Sequence, residues 1–308
     1  MIATVTSYLS AALRMATPLT LAGLGETICE KSGITNIGVE AIMLFGAFFS
    51  FIVAFFTKNL ALGMLSGILG GIIISMIHAF LSIKAKANQT ISGLALNFTA
   101  LGLTSFLFLK FFGQSTVLPD IKTVSNIKIP LLSKIPILGE AIFNQNIFVY
   151  IMLAAVLIVW IYFYKTQWGV NLFAVGEHPR AADSAGLNVG KIRYFACLLN
   201  GLLGGLAGAN ITLAQLGFFQ ENITAGKGYI ALVTVILGRR NPVGVLISSL
   251  ILGFAEALQF NLQTKGFPIP SQVFSMLPYI VTVVVLLFSI GKSSDPAALG
   301  EPYERNAR

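Results

Sequence analysis

Amide and carboxylate side chains interrupt the long apolar runs of this chain, and they are the groups with which it could bind a polar solute. An amide offers a donor and an acceptor side by side. Polar groups inside lipid are costly, so they usually face the interior of a helix bundle or a solute pathway. The residues expected to face such a pathway are Asn36, Glu40, Gln89, Asn97, Asn210 and Gln215.

A second interpretation of these residues stays open, because amides also hydrogen-bond one helix to another with no solute involved. Glu40 and Glu256 are the carboxylates expected within spans, and each could be protonated or paired with a group from another helix. The solitary His78 favours a hydrogen-bonded packing role over a proton relay, which would need further ionisable groups in series.

The elements that must hold these groups are membrane-spanning helices. Hydrophobic residues form 56% of the 308-residue chain and charged residues only 10%, against about 25% charged in a typical soluble domain. The runs are long enough to cross a bilayer and lack the alternation of barrel strands. The sequence therefore predicts an all-α, polytopic membrane protein with about eight to ten spans, some of them short or broken. The spans are predicted near 17–27, 36–56, 60–83, 90–112, 147–164, 192–215, 228–237, 243–260 and 274–290.

The net charge of +8 is expected to orient these spans rather than to recruit nucleic acid. Counting spans back from the C-terminus places twelve of the 20 basic residues on one side of the membrane, which would be the cytoplasmic side. The N-terminus would lie outside, although Arg14 interrupts the first apolar run. The whole chain, 1–308, is expected to form one transmembrane domain with an external loop at 113–145, a cytoplasmic loop at 165–191 and a cytoplasmic tail at 292–308.

Catalytic and phosphate-binding motifs are missing from the sequence. It contains no GxxxxGK[ST], HExxH or GxSxG pattern, so we expect no catalytic residue, no metal, no cofactor and no ATP hydrolysis by the chain itself. Cys29 is expected in a cytoplasmic loop and Cys197 inside a span, in different surroundings, and no disulfide or metal site is predicted between them.

Glycines at four-residue spacing mark two of the predicted spans. Small residues on one face let helix backbones approach closely in a membrane, so these faces are expected to be packing surfaces; the alternative is that they let helices slide. The glycines are Gly63, Gly67 and Gly71 in one span, and Gly201, Gly204, Gly205 and Gly208 in another.

Six sequence blocks are spread over nearly the whole chain. They are GETICEKSGITNIGVE at 25–40, ANQTISGLALN at 87–97, VGEHPRAADSAG at 175–186, GKGYIAL at 226–232, LGRRNPVG at 237–244 and ALGEPYER at 298–305. Together these blocks resemble the permeases of ABC importers for branched-chain amino acids, simple sugars and nucleosides. The nucleoside branch, which is linked to BMP-type lipoproteins, is the most similar. One departure is Ala41, where that family usually has glycine.

The resemblance implies an importer permease of the cytoplasmic membrane that translocates a nucleoside, with a purine nucleoside as the expected solute. A sugar or branched-chain amino acid importer is the alternative, followed by an ion-coupled secondary transporter. The implied partners are a cytoplasmic ABC ATPase, a second related permease that forms a heterodimer with this chain, an external substrate-binding lipoprotein and membrane lipid. One cytoplasmic coupling helix would contact the ATPase through Gly176, Glu177, Arg180, Ala181, Ala182 and Gly186.

Overall fold

The computed structural model describes most of the chain, and helices account for most of it. The described residues are 2–113, 119–130, 138–264, 270–289 and 295–304. Parts of the predicted external loop and tail therefore lie outside the described residues, at 114–118, 131–137, 292–294 and 305–308.

Thirteen α-helices occur within these described residues, with one short strand pair. The helices are α1 Ile2–Lys31, α2 Val39–Thr57, α3 Leu60–Ala79, α4 Gln89–Phe112, α5 Leu138–Phe143, α6 Ile147–Lys165, α7 Gln167–Glu177, α8 Pro179–Ser184, α9 Val189–Asn210, α10 Lys227–Leu237, α11 Pro242–Thr264, α12 Ser271–Ser275 and α13 Leu277–Ser289. Segments of π-helix extend α3 through Phe80–Lys84 and α9 through Ile211–Leu216. An antiparallel ribbon pairs β1 Ile127–Lys128 with β2 Asn144–Gln145.

Six helices of the described part are long and apolar enough to cross a membrane, namely α2, α3, α4, α6, α9 and α11 with the π extensions of α3 and α9. Two shorter apolar helices, Lys227–Leu237 and Ser271–Leu287, accompany them. The sequence predicted a first span starting at residue 17, which is too late, because α1 is continuous from Ile2. Arg14 stays inside α1, since its guanidinium donates to the hydroxyl of Ser10 one turn earlier at 2.9 Å.

Glycine faces bring α2, α3 and α9 into backbone contact. A Cβ on Gly205 would lie 2.5 Å from the carbonyl oxygen of Gly67, and one on Gly67 would lie 2.8 Å from the carbonyl oxygen of Gly46. Such distances leave no room for a side chain. The prediction that these glycines form packing surfaces is confirmed.

One end of the bundle, which we name the tail end, gathers the C-terminal residues 295–304. The backbone N–H of Ala298 donates to the carbonyl of Gly176 at 3.0 Å, and that of Gly300 donates to Gly33 at 3.0 Å. The tail end therefore holds the end of α1, the end of α7 and the C-terminal segment together.

The opposite end, which we name the ribbon end, carries the β1–β2 ribbon. There the N–H of Ile121 donates to the carbonyl of Gly217 at 2.7 Å, and the Gln145 amide donates to the Ser10 hydroxyl at 2.7 Å. Residues 119–130 thus cover the π segment that follows α9, while β2 contacts α1 at Ser10.

The two cysteines share one environment, so the expectation of different surroundings is wrong. Cys29 belongs to α1 rather than to a loop, and its Sγ lies 3.6 Å from the Sγ of Cys197 on α9. Both thiols are free and buried. The error follows from ending the first helix too early, before its last turn.

Candidate functional site

A non-helical turn over residues 32–38 forms the first part of the site, between α1 and α2. Gly33 adopts a φ of 91°, which favours glycine, and the Asn36 side chain accepts the N–H of Gly38 at 2.9 Å. This local hydrogen bond competes with helix formation, so α2 begins at Val39, and Asn36 precedes the helix that was predicted to contain it.

A buried carboxylate on α1 fixes the turn. Glu26 accepts the backbone N–H of Asn36 at 2.8 Å and the side-chain amide of Asn200 at 2.6 Å. Glu26 and Glu30 both lie in α1 and are buried. Among the six helices that can cross a membrane, Glu40 of α2 and Glu256 of α11 are the carboxylates, as expected, whereas Glu26 and Glu30 lie in α1 outside those six.

The first residues of α4 hold the other side of the turn. Gln89 accepts the N–H of Thr35 at 2.8 Å, and His78 makes a 3.1 Å hydrogen bond to the Thr35 carbonyl. His78 is thus a hydrogen-bonded packing residue, as predicted. The Nδ2 of Asn36 and the Nε2 of Gln89 are buried without a partner among the described residues, which leaves two amide donors available beside the turn.

Glu40 anchors a short helix inside the bundle. Its carboxylate accepts the Thr224 hydroxyl at 2.5 Å and the backbone N–H groups of Gly226 and Gly228 at 2.9 and 2.6 Å. The 11 residues of α10 span about 16 Å, roughly half of the hydrocarbon core. Negative charge is favourable at a helix N-terminus, so Glu40 stabilises the start of this half-helix.

Asn97 connects three elements at the same site. Its side chain accepts the N–H of Ala41 at 2.9 Å and donates to the Tyr229 hydroxyl at 2.9 Å. The residue lies about 12 Å along α4 from Gln89. Tyr229, on α10, is 41% exposed. The hydrogen bond therefore links the buried Asn97 to a tyrosine side chain at the surface of the subunit.

The structure brings four of the six predicted pathway residues together around the 32–41 segment, and it places the other two elsewhere. Asn36, Gln89, Glu40 and Asn97 are all bonded to this segment or form part of it. Gln215 instead donates to the side chain of Asn210 at 3.0 Å and to the Arg14 carbonyl at 3.0 Å, between α9 and α1. The six therefore form two clusters.

An ion pair missed at the sequence level lies between α10 and α11. The Lys227 ammonium contacts the Glu256 carboxylate, and the two side chains are 16% and 15% exposed. Periodicity could not find this ion pair, because the partners are on different helices and the span predicted at 228–237 begins after Lys227. The pair borders a cavity of about 490 Å³.

The predicted coupling segment contains two helices, α7 and α8, joined at His178. Its residues fall into two groups. Gly176 and Ala182 are buried inside the subunit, and Ala182 packs with Val175 and Val189. The exposed residues, which remain available to a partner, are Glu177, Arg180, Ala181 and Gly186.

The C-terminal segment lies against this coupling segment, a contact that the sequence did not indicate. The N–H of Ala297 donates to the Glu177 carboxylate at 3.1 Å, and a cleft of about 510 Å³ separates α8 from residues 301–304. Lys86 pairs with Glu304 at 2.5 Å, and this contact lowers the pKa of the Glu304 carboxyl.

Buried arginines attach the same segment to the bundle. Arg193 donates to the Glu301 carbonyl at 3.1 Å. Arg240 pairs with Glu30 of α1 at 2.5 Å and also with Asp295. The tail end is therefore a single bonded unit of α1, α9, the α10–α11 turn and residues 295–304.

The bundle combines the half-helix α10 and the non-helical turn over 32–38 with an exposed coupling segment. This geometry suits movement of a solute rather than bond breaking. The sequence family described as "Branched-chain amino acid transport system / permease component" matches residues 8–286. The chain belongs to this permease family.

Relatives of the permease span nearly its whole length. It is 36% identical to the guanosine ABC transporter permease protein NupQ of Bacillus subtilis, over 97% of the chain and 96% of that protein. It is 35% identical to the nucleoside ABC transporter permease protein NupC of Lactococcus lactis, over 93% of each. It is 34% identical to the putative glucose ABC transporter permease protein TsgC13 of Haloferax volcanii, over 96% and 97%.

A solved structure titled "An inward-facing conformation of a putative metal-chelate type ABC transporter" has a similar fold. It matches the permease with a TM-score of 0.53 at 15% identity, over 91% of this chain and 85% of that one. The predicted all-α, polytopic permease fold is thereby confirmed. The permease is a multi-pass transport subunit of the cytoplasmic membrane rather than an enzyme, and it functions with an ATPase and a substrate-binding protein.

Proposed function

We propose that the permease translocates a nucleoside into the cell, with purine nucleosides preferred, and that separate subunits supply the energy by hydrolysing ATP. This proposal rests on the sequence identity of 36% and 35% to permeases named for guanosine and for nucleosides, over more than nine tenths of the chain. Selection would rest largely with an external lipoprotein that delivers the solute to the ribbon end.

We propose that the pathway follows the surface formed by α4, α10 and α13, where a second, related permease completes its wall as a heterodimer. Non-helical backbone at membrane depth is tolerated where it is buried in protein or lines a water-filled cavity. Discontinuous helices form solute sites in other transporters. Glu40 fixes such a helix, and Tyr229 of α10 and Phe98 of α4 are 41% and 74% exposed. Asn36, Glu40, Gln89 and Asn97 would support this wall and meet the solute when it opens. Asn210 and Gln215 would face the solute from the second cluster, between α9 and α1.

The tail end is proposed to face the cytoplasm. Lys31, Lys86, Arg193 and Arg240 all lie there, as their contacts with the turn, the coupling segment or residues 295–304 show. A basic bias marks the cytoplasmic side of membrane proteins. A cysteine at Asp183 should react with an impermeant maleimide only after cell lysis, and reaction in intact cells would reverse the orientation.

The ATPase subunit is proposed to dock on the exposed face of α8. Arg180 and Glu177 can make charged contacts at the rim of a groove, while Ala181 is small enough to let the helix enter it. Ala182 would act from inside by fixing α8, and Gly176 by fixing the end of α7 against α1.

Radiolabelled uptake tests the solute. The permease and its neighbouring transporter genes are expressed in a strain that lacks other nucleoside transporters. We expect guanosine, adenosine and inosine to accumulate, and ATP depletion to stop uptake. Accumulation of glucose or leucine without any nucleoside would contradict the proposal and favour the sugar or amino-acid branch, which the identity to TsgC13 keeps as the second candidate.

A further inference from the structure

We propose that the cavity beside the Lys227–Glu256 ion pair is a binding site for a nucleoside within this subunit. The inference rests on the proposed function, because it assigns a site to the solute named there. The cavity lies among α1, the π segment after α9, α10, α11, α12 and α13.

The cavity has the size and lining of a small-molecule site. Its volume of about 490 Å³ falls within the roughly 300–1,000 Å³ that ligand sites occupy. Met15, Leu19 and Leu252 form an apolar wall. Ligand sites combine such walls with a few convergent polar groups, and this cavity also contains those groups.

The ion pair provides the strongest of the polar groups. Ionisable residues at membrane depth are costly and commonly mark solute pathways. An ammonium has three donors and a carboxylate several acceptor positions, and the contact between Lys227 and Glu256 uses one of each. The remaining donors and acceptors match ribose, whose neighbouring hydroxyls both donate and accept hydrogen bonds.

Two amides and two aromatic rings complete the site. The lining includes Gln215 and Gln259. The NH2 group of Gln215 already donates to Asn210 and Arg14, so its side-chain oxygen offers an acceptor to a nucleobase. The amide of Gln259, which makes one 3.4 Å contact to Ser275, offers both a donor and an acceptor. Phe260 and Tyr279 also line the cavity and are 46% and 53% exposed, so ring surface is free to stack on a base. An acyl chain would match the rings but would offer no hydrogen bond to the remaining donors and acceptors of the ion pair and the amides.

The position of the cavity connects binding to the half-helix. Lys227 is the first residue of α10, and the next residue, Gly228, donates to Glu40. A solute bound to Lys227 therefore contacts the turn that Glu40 holds. This places the site directly beside the element proposed to open the pathway.

Protection of a cysteine in the cavity tests the site. Ser275→Cys is nearly isosteric, and Ser275 lines the cavity. The complete complex of both permeases and the ATPase, without the binding protein, is treated with a cationic methanethiosulfonate. We expect millimolar guanosine to slow labelling at least about fivefold. Glu221→Cys, at an exposed position outside the lining, should react equally fast with or without guanosine.

Guanosine uptake by the same preparation, supplied with its binding protein, distinguishes failure of this binding site from failure of the proposed function. Uptake without protection of Ser275→Cys overturns this site and leaves the proposed function standing. Absence of guanosine uptake overturns the proposed function and, with it, the assignment of the cavity to a nucleoside.

A second variant tests the ion pair within the Ser275→Cys background. Replacing both partners, Lys227→Met with Glu256→Met, removes the charges without leaving one buried and unpaired. The basal labelling rate should persist, which shows an intact cavity, while the guanosine concentration for half-protection should rise about tenfold. An unchanged concentration would show that the pair is structural and would overturn its role in binding.

Discussion

Glu40 on α2 accepts the backbone N–H of Gly228 at 2.6 Å, so a carboxylate of one helix fixes the first turn of the half-helix α10. A Cβ on Gly228 would lie 2.5 Å from the backbone of Glu40, so the contact also requires glycine. The proposed pathway wall depends on this junction, because the N–H of Gly228 in the first turn of α10 has the Glu40 carboxylate as its acceptor.

Glu40→Ala should reduce nucleoside uptake more than tenfold and lower the thermal unfolding temperature in detergent. It leaves the N–H groups of Gly226 and Gly228 unpaired, and each buried unpaired group costs about 1–3 kcal/mol. Glu40→Gln keeps one acceptor oxygen and should give intermediate values. Glu221→Ala, at an exposed carboxylate in the same loop, serves as the control. Wild-type uptake by Glu40→Ala would contradict this role.

Tryptophan at two neighbouring positions of α8 should affect different properties, ATPase association at Ala181 and stability at Ala182. Ala181→Trp is exposed, so it should abolish co-purification with the ATPase and uptake while leaving the unfolding temperature unchanged. Ala182→Trp falls where the side chain is 4% exposed, so overpacking should lower stability by about 1–3 kcal/mol. If Ala181→Trp retains both ATPase association and uptake, the exposed face of α8 is not the docking surface.

Gly71→Ala should destabilise the bundle, whereas Gly102→Ala should not. A Cβ at Gly71 would lie 2.5 Å from the Cα of Gly205, while one at Gly102 meets nothing within 4 Å. The expected loss is about 1–3 kcal/mol, measured as a lower unfolding temperature in detergent. Equal unfolding temperatures for the two variants would show that α3 and α9 are not in backbone contact.

Cys29 and Cys197 should form a disulfide when the purified protein is treated with diamide, a small diazene oxidant that accepts the two electrons and two protons released. The sulfurs lie 3.6 Å apart, so a bond of about 2 Å needs only a small shift. Mass spectrometry of peptides before and after reduction measures the bond, with Cys197→Ser as the control. Two thiols that stay free after prolonged oxidation would contradict the packing of α1 on α9.

The helices were predictable from sequence because length and apolarity determine whether a segment can span a membrane. The span expected at 60–83 appears as Leu60–Lys84 when its π extension is included. The first span was predicted to start too late because of Arg14, and the second was predicted to include Asn36 because the turn at 32–38 was missed. Both features depend on hydrogen bonds that hydropathy does not record.

Contacts between distant residues were not predictable from one sequence. The amides of the candidate site were found from their cost in lipid, but their partners lie far along the chain, as Asn97 and Tyr229 do. The Lys227–Glu256 pair and the attachment of residues 295–304 have no local pattern at all. Tertiary packing alone brings these groups together.

Transport by the reconstituted complex tests the central claim most directly. The two permeases and the ATPase are placed in proteoliposomes with ATP on the tail-end side, and labelled guanosine and its binding protein are added on the ribbon-end side. The account predicts accumulation of guanosine that needs ATP hydrolysis and persists when an ionophore dissipates ion gradients. Accumulation that the ionophore abolishes, or that proceeds without ATP, would contradict it.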